Sequence, residues 1–362
     1  MDSITYITYQ TFPAFTANSI QTMTHIKYFA RLGLNVTLVF PLRNKESDSN
    51  LQKLKSFYQI SDNFNSEGTK HFLPFKKIKI FEKYSYILSH FLWAFFITRK
   101  YKNKHMKNYF TRSEWIFYFM SRKNHKIIFE CHQISKLKKI LIEKSLNKDN
   151  SRLILLTESM KNEIGQVDSS KVMILSSSYD EEIFSCKKDI EKEEKIIYTG
   201  SFYRFGESRG IENLNESFKR LSKEGIDTIL VSNDAEKIYE NTNFNQEDLT
   251  LFSNLNRREI SAILERCKVG LLINNESHHA DKYTSPLKYF EYISMGLNVV
   301  ATKNDAHTKL PYQDKIYYFD KDNNESFLNA VRDALKAETS IPEDLKMYSM
   351  GKRVDYILNF YN

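Results

Sequence analysis

Tyr283-Thr-Ser-Pro-Leu-Lys288-Tyr-Phe-Glu291-Tyr-Ile-Ser-Met-Gly296-Leu-Asn-Val-Val-Ala-Thr302 is the stretch from which the rest of the chain is read. It reads as loop, helix, tight stop and buried strand. Ser285 suits the N-cap, and Pro286 suits the first helical position, where a missing N–H costs nothing. Gly296 is placed to end the helix in the left-handed conformation. Val299, Val300 and Ala301 form the short apolar run of a buried parallel strand. The helix start offers backbone N–H groups and the positive end of a dipole, which suits phosphate. Lys288 and Glu291, at i and i+3, share one side of it. A cation beside a phosphate and a carboxylate one turn later can hold a nucleotide's phosphate and its ribose hydroxyls. The competing reading is an amphipathic α/β helix with a surface ion pair.

Outward from that stretch, strand-like runs alternate with helical ones, which predicts an α/β fold with parallel sheets. The first half reads as strand Ile4–Thr8, helix Ser19–Leu32 and strand Asn35–Phe40. A polar stretch from Arg43 to about Lys70 resists assignment. Helix Tyr84–Ile97, strand Tyr109–Thr111, helix Glu114–Met120, strand Lys126–Glu130 and helix Lys136–Leu146 follow, with strands Leu153–Thr157 and Val172–Leu175 around a short helix. Cys186 to Glu194 is charged and lacks core residues, so it reads as the linker. The alternation then restarts at Lys195–Thr199 and runs to a terminal helix near Lys352–Phe360. Expected domains are 1–185, 186–345 and a terminal helix in 346–362 that packs back on the first. Two such α/β halves predict a cleft between them, where ligands of open parallel sheets bind.

The 362 residues suffice for two cores. With only 10 glycines against a usual ~7%, a phosphate cradle here must use helix starts and side chains. The formal charge of +8 fits a polyanionic partner: nucleic acid, an anionic lipid surface or a nucleotide donor. No zinc-finger spacing, RNA-binding signature or Arg-rich arm supports nucleic acid. Cys131, Cys186 and Cys267 are few, odd in number and widely spaced, which fits reduced thiols in a cytoplasmic protein with no disulfide framework and no metal site. The N-terminus lacks the basic start and apolar core of a signal peptide, and no apolar run reaches the ~20 residues of a membrane span.

Ser-Pro-Leu-Lys-Tyr-Phe-Glu-Tyr, with the Met-Gly-Leu-Asn-Val-Val-Ala-Thr that follows, resembles the donor-binding segment of retaining family 4 glycosyltransferases. The resemblance implies the GT-B architecture: two facing Rossmann-like domains with an interdomain cleft. That family often shows a pair of glutamates here. This chain keeps the second as Glu291 and carries Tyr283 where the first would contact the donor sugar. A subgroup with Ser-Pro-Leu-Lys also often lacks the first. Thr16-Ala-Asn-Ser-Ile-Gln-Thr-Met23 is similar to the family's first loop and helix, which makes Asn18 and Ser19 acceptor-site candidates; plain N-capping is the alternative. Ile196-Ile-Tyr-Thr-Gly200-Ser-Phe-Tyr-Arg204-Phe-Gly-Glu-Ser-Arg209-Gly210 resembles the first strand and loop of the donor domain, where a Lys-Gly puts its cation on the diphosphate. Arg209 is the counterpart set back along the loop, and Arg204 is the other candidate.

Phe129-Glu-Cys-His132 ends a predicted strand. In the family a histidine there lies close to the transferred sugar, so His132 is expected to face it; a structural role is the alternative. Cys131 beside it suggests a Cys–His pair only weakly, because strand neighbours point to opposite faces. Asp320-Lys-Asp322 imitates a metal-binding Asp-x-Asp, but capping of the next helix explains it, and no metal cofactor is expected. Tyr84 to Lys107 combines aromatics with Arg99, Lys100, Lys102, Lys104 and Lys107. It reads either as a segment lying on anionic membrane or as a buried helix with a basic turn.

By this resemblance the donor is a nucleotide-diphosphate sugar held by Arg204 or Arg209, Lys288, the amides of Ser285 to Leu287, and Glu291. His132, Arg209 and Lys288 serve catalysis. The acceptor is a glycan or lipid-linked glycan, made at the inner face of the cell membrane. A catalytically inactive scaffold and a nucleotide-sugar epimerase of the same architecture are the alternatives.

Overall fold

The computed structural model describes residues 1–71, 82–101, 108–123, 125–186, 191–204, 207–233, 247–274 and 285–361, with the backbone alone at 82–83, 203–204 and 207. Tyr283 and the cations Lys102, Lys104 and Lys107 lie outside the described residues. The chain forms two units: Met1–Ser176 together with Met350–Asn362, and Ser177–Ser349. The charged run Cys186–Glu194 belongs to the second, where Lys192 Nζ donates to the carbonyls of Glu265 and Cys267.

Unit 1 is built on strands β1 (Ser3–Ile7), β2 (Asn35–Leu42), β3 (Asn65–Lys70), β4 (Asn108–Thr111), β5 (Lys126–Cys131), β6 (Ser151–Leu155) and β7 (Val172–Ile174). They form one sheet in the order β3-β2-β1-β4-β5-β6-β7, with every pair parallel. Helices α1 (Ala17–Arg31), α2 (Leu51–Tyr58), α3 (Glu82–Tyr101), α4 (Glu114–Met120), α5 (Lys136–Leu146) and α6 (Glu158–Ile164) connect them. Most carry a Ser, Thr or Asn cap: Thr16, Asn50, Ser113, Ser135 and Thr157 each accept a backbone N–H of the first turn.

Unit 2 has β8 (Glu193–Thr199), a small hairpin of β9 (Tyr203–Arg204) and β10 (Glu207–Ser208), α7 (Asn215–Lys223), β11 (Asp227–Val231), β12 (Thr250–Phe252) and α8 (Arg257–Leu264). β13 (Cys267–Leu272), α9 (Leu287–Ser294), β14 (Asn298–Thr302), β15 (Ile316–Phe319) and α10 (Asn324–Lys336) complete it. Its main sheet runs β12-β11-β8-β13-β14-β15, again all parallel. In each unit the first strand lies between its second and fourth, so the connections leave in opposite directions there. Such a switch point opens a crevice at the carboxyl ends of the strands. The α/β class with two Rossmann-like domains is therefore what the chain adopts. The last helix, α11 (Met350–Phe360), packs in unit 1, where Met350, Val354 and Ile357 join the core of α1, β1 and β2.

The unassigned stretch after Arg43 holds α2 and β3. The edge strand β3, Asn-Ser-Glu-Gly-Thr-Lys, has almost no apolar residue, so it leaves no periodic signal. Asn323, rather than Asp320 or Asp322, caps α10.

Candidate functional site

Two polar clusters sit at the strand ends, one in each unit. In unit 2 the cluster begins with the docking of α9 on the sheet. Gly270 in β13 has no side chain, and a Cβ there would stand 2.4 Å from the Tyr292 ring. The space lets Tyr292 cross the sheet, and its hydroxyl bonds the amide and Oγ1 of Thr199 at 3.0 Å. The start of α9 is thereby fixed beside the end of β8. Ser285, expected as the cap of α9, does not cap it. Pro286 holds the extended N-cap conformation with no side-chain hydrogen bond. Ser285 Oγ instead accepts the amide of Ser177 at 2.8 Å, and its carbonyl accepts the Ser177 hydroxyl at 2.6 Å. Gly296 ends the helix with φ +73, as expected.

Lys288 Nζ lies 4.0 Å from the Tyr198 ring centroid and beside Gly200, where a Cβ would come within 3.3 Å of it. Gly200 holds φ +121, so its freedom and its missing side chain both serve the place taken by the ammonium. Glu291 is buried, which excludes the surface-pair reading; its Oε1 accepts from Arg257 at 3.0 Å. Burial raises the Glu291 carboxyl above its ordinary range, with Arg257 and Lys288 pulling the other way and Asp180 adding to the rise.

Arg209 joins this group through a relay. Its NH1 donates to Asn274 Oδ1 at 3.2 Å, and the Asn274 amide lies 3.0 Å from His307 Nε2. His307 Nδ1 is 2.7 Å from the Thr302 carbonyl, which can only accept. His307 therefore carries its proton on Nδ1, and Nε2 accepts from Asn274, leaving Asn274 Oδ1 turned to Arg209. Burial, with Lys288 nearby, pulls His307 down to about 4, so the neutral ring this relay needs is the stable one. Arg209 Nε is buried without a hydrogen-bond partner. Arg209 follows β8 and Asn274 follows β13, so their bond spans the switch point. The Arg204 side chain, like Tyr283, is outside the described residues. Leu287 opens α9.

In unit 1 the second cluster centres on Glu130, buried in β5. Arg353 of α11, also fully buried, donates to its Oε2 at 2.6 Å. Arg112 stands 3.4 Å from Oε1, and His132 Nε2 is 2.5 Å from Oε1. Burial alone would raise the carboxyl; Arg353, then Arg112, outweigh it and hold it well below the usual range. Arg112 also reaches both ring nitrogens of His132, with Nδ1 at 2.8 Å. Burial and Arg112 bring His132 down to about 4. Its side chain keeps 25% exposure, and both ring nitrogens are engaged within the cluster. His25 donates from Nδ1 to the Gln21 carbonyl and accepts from Arg353 Nε at 3.2 Å. Asn18 is exposed and its carbonyl accepts from Arg112. Ser19 is buried and bonds Thr16 Oγ1 at 2.9 Å. Cys131 turns away from the histidine, its thiol donating to the Gln133 carbonyl, and burial raises it to about 11.

No protein-family model matches the chain, and no curated protein sequence does. Solved structures do. A glycosyltransferase from Rickettsia africae superposes with a TM-score of 0.68 at 14% identity, covering 100% of this chain and 98% of its own. WaaG, a glycosyltransferase involved in lipopolysaccharide biosynthesis, gives 0.58 at 14% identity over 98% and 95%. The fold is that of the GT-B glycosyltransferases. A trehalose-6-phosphate protein from E. coli bound with UDP-2-fluoro glucose gives 0.62 at 9% identity over 99% of both chains.

Arg112, Arg353, Asn274, Arg257 and His307 were not singled out from sequence. For Glu130 a signal existed: a glutamate at the end of Ile-Ile-Phe in a strand core demands a buried cation. The sequence does not say which of 53 Lys and Arg supplies it.

Proposed function

We propose that the protein is a retaining glycosyltransferase that moves a sugar from a nucleoside-diphosphate donor to a glycan or lipid-linked acceptor, in bacterial surface polysaccharide synthesis on the cytoplasmic side of the membrane. The observation that carries this reading is the group at the switch point of unit 2. Lys288 lies in the first turn of α9, whose N-cap makes no side-chain hydrogen bond, Glu291 follows one turn further on, and Arg209 bonds Asn274 across the same switch point. Lys288, the free Nε of Arg209 and the amides of Leu287 and Lys288 would hold the diphosphate oxygens. Glu291, steadied by Arg257, would accept hydrogen bonds from the ribose hydroxyls.

In the reaction the acceptor hydroxyl bonds to the anomeric carbon as the bond to the β-phosphate oxygen breaks. Attack comes on the face the phosphate leaves, and the departing phosphate takes the hydroxyl proton. Charge grows on the leaving diphosphate, so the cations facing it carry most of the rate enhancement. This reading assigns that neutralisation to Lys288 and Arg209, with no metal; turnover that persists in EDTA is expected. Arg204 and Tyr283 keep their donor-site proposals, and Asn18, Ser19 and His132 their acceptor-side and sugar-side ones.

The test is thermal shift and calorimetry with uridine, guanosine and thymidine diphosphates and their sugars, since a ligand of the native state raises Tm. Lys288→Ala and Glu291→Ala should each weaken binding on the order of 10- to 100-fold, as loss of a hydrogen bond to a charged group does; the unliganded Tm should hold for Lys288→Ala and fall for Glu291→Ala, which leaves Arg257 without its carboxylate. If every diphosphate leaves Tm unmoved, the site assignment fails. Binding without donor turnover would identify a scaffold. Conversion of the nucleotide sugar without an acceptor would identify an epimerase.

A further inference from the structure

We propose that the outer face of α3 and α4 docks on an anionic phospholipid bilayer. Helix α3 buries one side in unit 1 through Trp93, Ala94, Ile97 and Tyr101. One apolar stripe is enough for a surface helix, yet α3 carries a second. Tyr84 and Leu88 are 72% and 54% exposed, and Phe91 and Phe95 continue their line at helical spacing. Phe96 beside them is 50% exposed. Phe91 meets Trp115 of α4 edge-on at 4.9 Å, and Phe95 meets Phe119 at 5.7 Å. Those four rings remain only half-buried. The result is a continuous aromatic surface on the solvent side of two helices, larger than scattered apolar residues produce.

Its rim is cationic. The Arg99 guanidinium lies 4.4 Å from the Phe95 ring centroid, and that of Arg122 lies 3.5 Å from the Tyr118 ring centroid. Arg122 then lines a cavity of about 610 Å³ at the carboxyl end of α4, together with Lys123, Lys126, Lys148 and Arg152. Its acid, Asp149, is engaged by Lys171 at 3.2 Å. Aromatic rings beside a basic recess match the bilayer interface, where rings seat at the headgroup level and each cation near an anionic surface adds attraction. A second copy fits less well, because this chain carries a net charge of +8 and offers a basic rim no net opposite charge.

The surface belongs to unit 1 and does not rest on the donor site of unit 2. It would bring the protein to the membrane that carries a lipid-linked acceptor.

The test is co-sedimentation of the full chain with phosphatidylcholine vesicles, with and without phosphatidylglycerol. Binding should need phosphatidylglycerol and weaken with salt. The fluorescence of Trp115, half-buried on the face, should shift blue. Leu88→Ser with Phe96→Ser should lower partitioning about tenfold or more. Both side chains are exposed, so Tm and the diphosphate-induced shift should stay as in the wild type. Arg122→Glu with Lys148→Glu should remove the preference for anionic lipid. Equal or absent binding to both vesicles would overturn the proposal. So would wild-type binding by the double-serine variant, or a concentration-dependent dimer that this variant abolishes. Stabilisation by glycerol phosphate equal to that by vesicles would make the recess a site for free anions and would also refute it.

Discussion

Replacing Arg353 by methionine tests the buried cluster of unit 1 most directly. The guanidinium donates to Glu130 Oε2 at 2.6 Å, to His25 Nε2 at 3.2 Å, to the Leu175 carbonyl at 2.8 Å and to the Ser176 carbonyl. Methionine fills much of the volume and supplies no donor. Glu130 would keep Arg112 and His132, but its nearest cation would be gone. Removing one partner of a buried ion pair costs about 3–5 kcal/mol, because the remaining charge stays out of water. The orphaned carbonyls add to this only where water fails to reach them, so a loss of about 4 kcal/mol is expected at neutral pH.

The loss should also depend on pH. In the wild type the Glu130 carboxyl lies well below its unfolded value, so its stabilisation is present above about pH 4.5 and fades only as pH falls through the lower folded value. In the variant burial dominates, the folded value rises, and a proton taken up by Glu130 or His25 relieves the imbalance. The gap between variant and wild type should therefore narrow from pH 7.5 to pH 5. Both tryptophans, Trp93 and Trp115, lie in unit 1, so urea unfolding followed by tryptophan fluorescence reports this unit. A difference below about 1 kcal/mol at pH 7.5, or one that stays constant with pH, would refute the reasoning.

Gly200→Ala should strain the φ +121 position by about 1–3 kcal/mol and press on Lys288; calorimetry should show weaker diphosphate binding alongside a lower Tm. Asn274→Ala should free Arg209 without touching ligand, weakening diphosphate affinity by about three- to tenfold, and should lower stability by about 1–3 kcal/mol because buried His307 Nε2 loses its donor. His25, His90 and His307 are buried and neutral in the fold, lowered to about 3, 4 and 4. Their unfolded forms take up protons below pH ~6.5 while the folded forms do not. Stability should thus fall from pH 6.5 toward 4 by about 1.4 kcal/mol per pH unit for each, measured by urea titration at several pH values.

The alternation of strand and helix was legible because the central strands are apolar runs set between turn residues. β13, Cys-Lys-Val-Gly-Leu-Leu, and β14, Asn-Val-Val-Ala-Thr, could hardly be read otherwise. β3 was not legible because an edge strand needs no apolar face. Lys288, Glu291 and Gly296 could be placed because their spacing is local to one helix. The cap was misread because Ser285 bonds Ser177, a partner far away in sequence. The same applies to Arg353 with Glu130 and to Arg209 with Asn274. Each is a long-range pair whose members carry no mark of each other, so sequence shows the need for a partner and not its identity.

The return of α11 to unit 1 constrains the order in which the protein can be made. Residues 350–361 leave the ribosome only after all of Ser177–Ser349 has been synthesised. Until then Glu130 lacks Arg353, its nearest cation, and the α1 face lacks Met350, Val354 and Ile357. The amino-terminal unit therefore stays incomplete while the second is being translated. A fragment ending at Ser176 would leave Glu130 without its nearest guanidinium, with Arg112 as the cation that remains beside it, and a truncation before Met350 would damage the unit farthest from it in sequence.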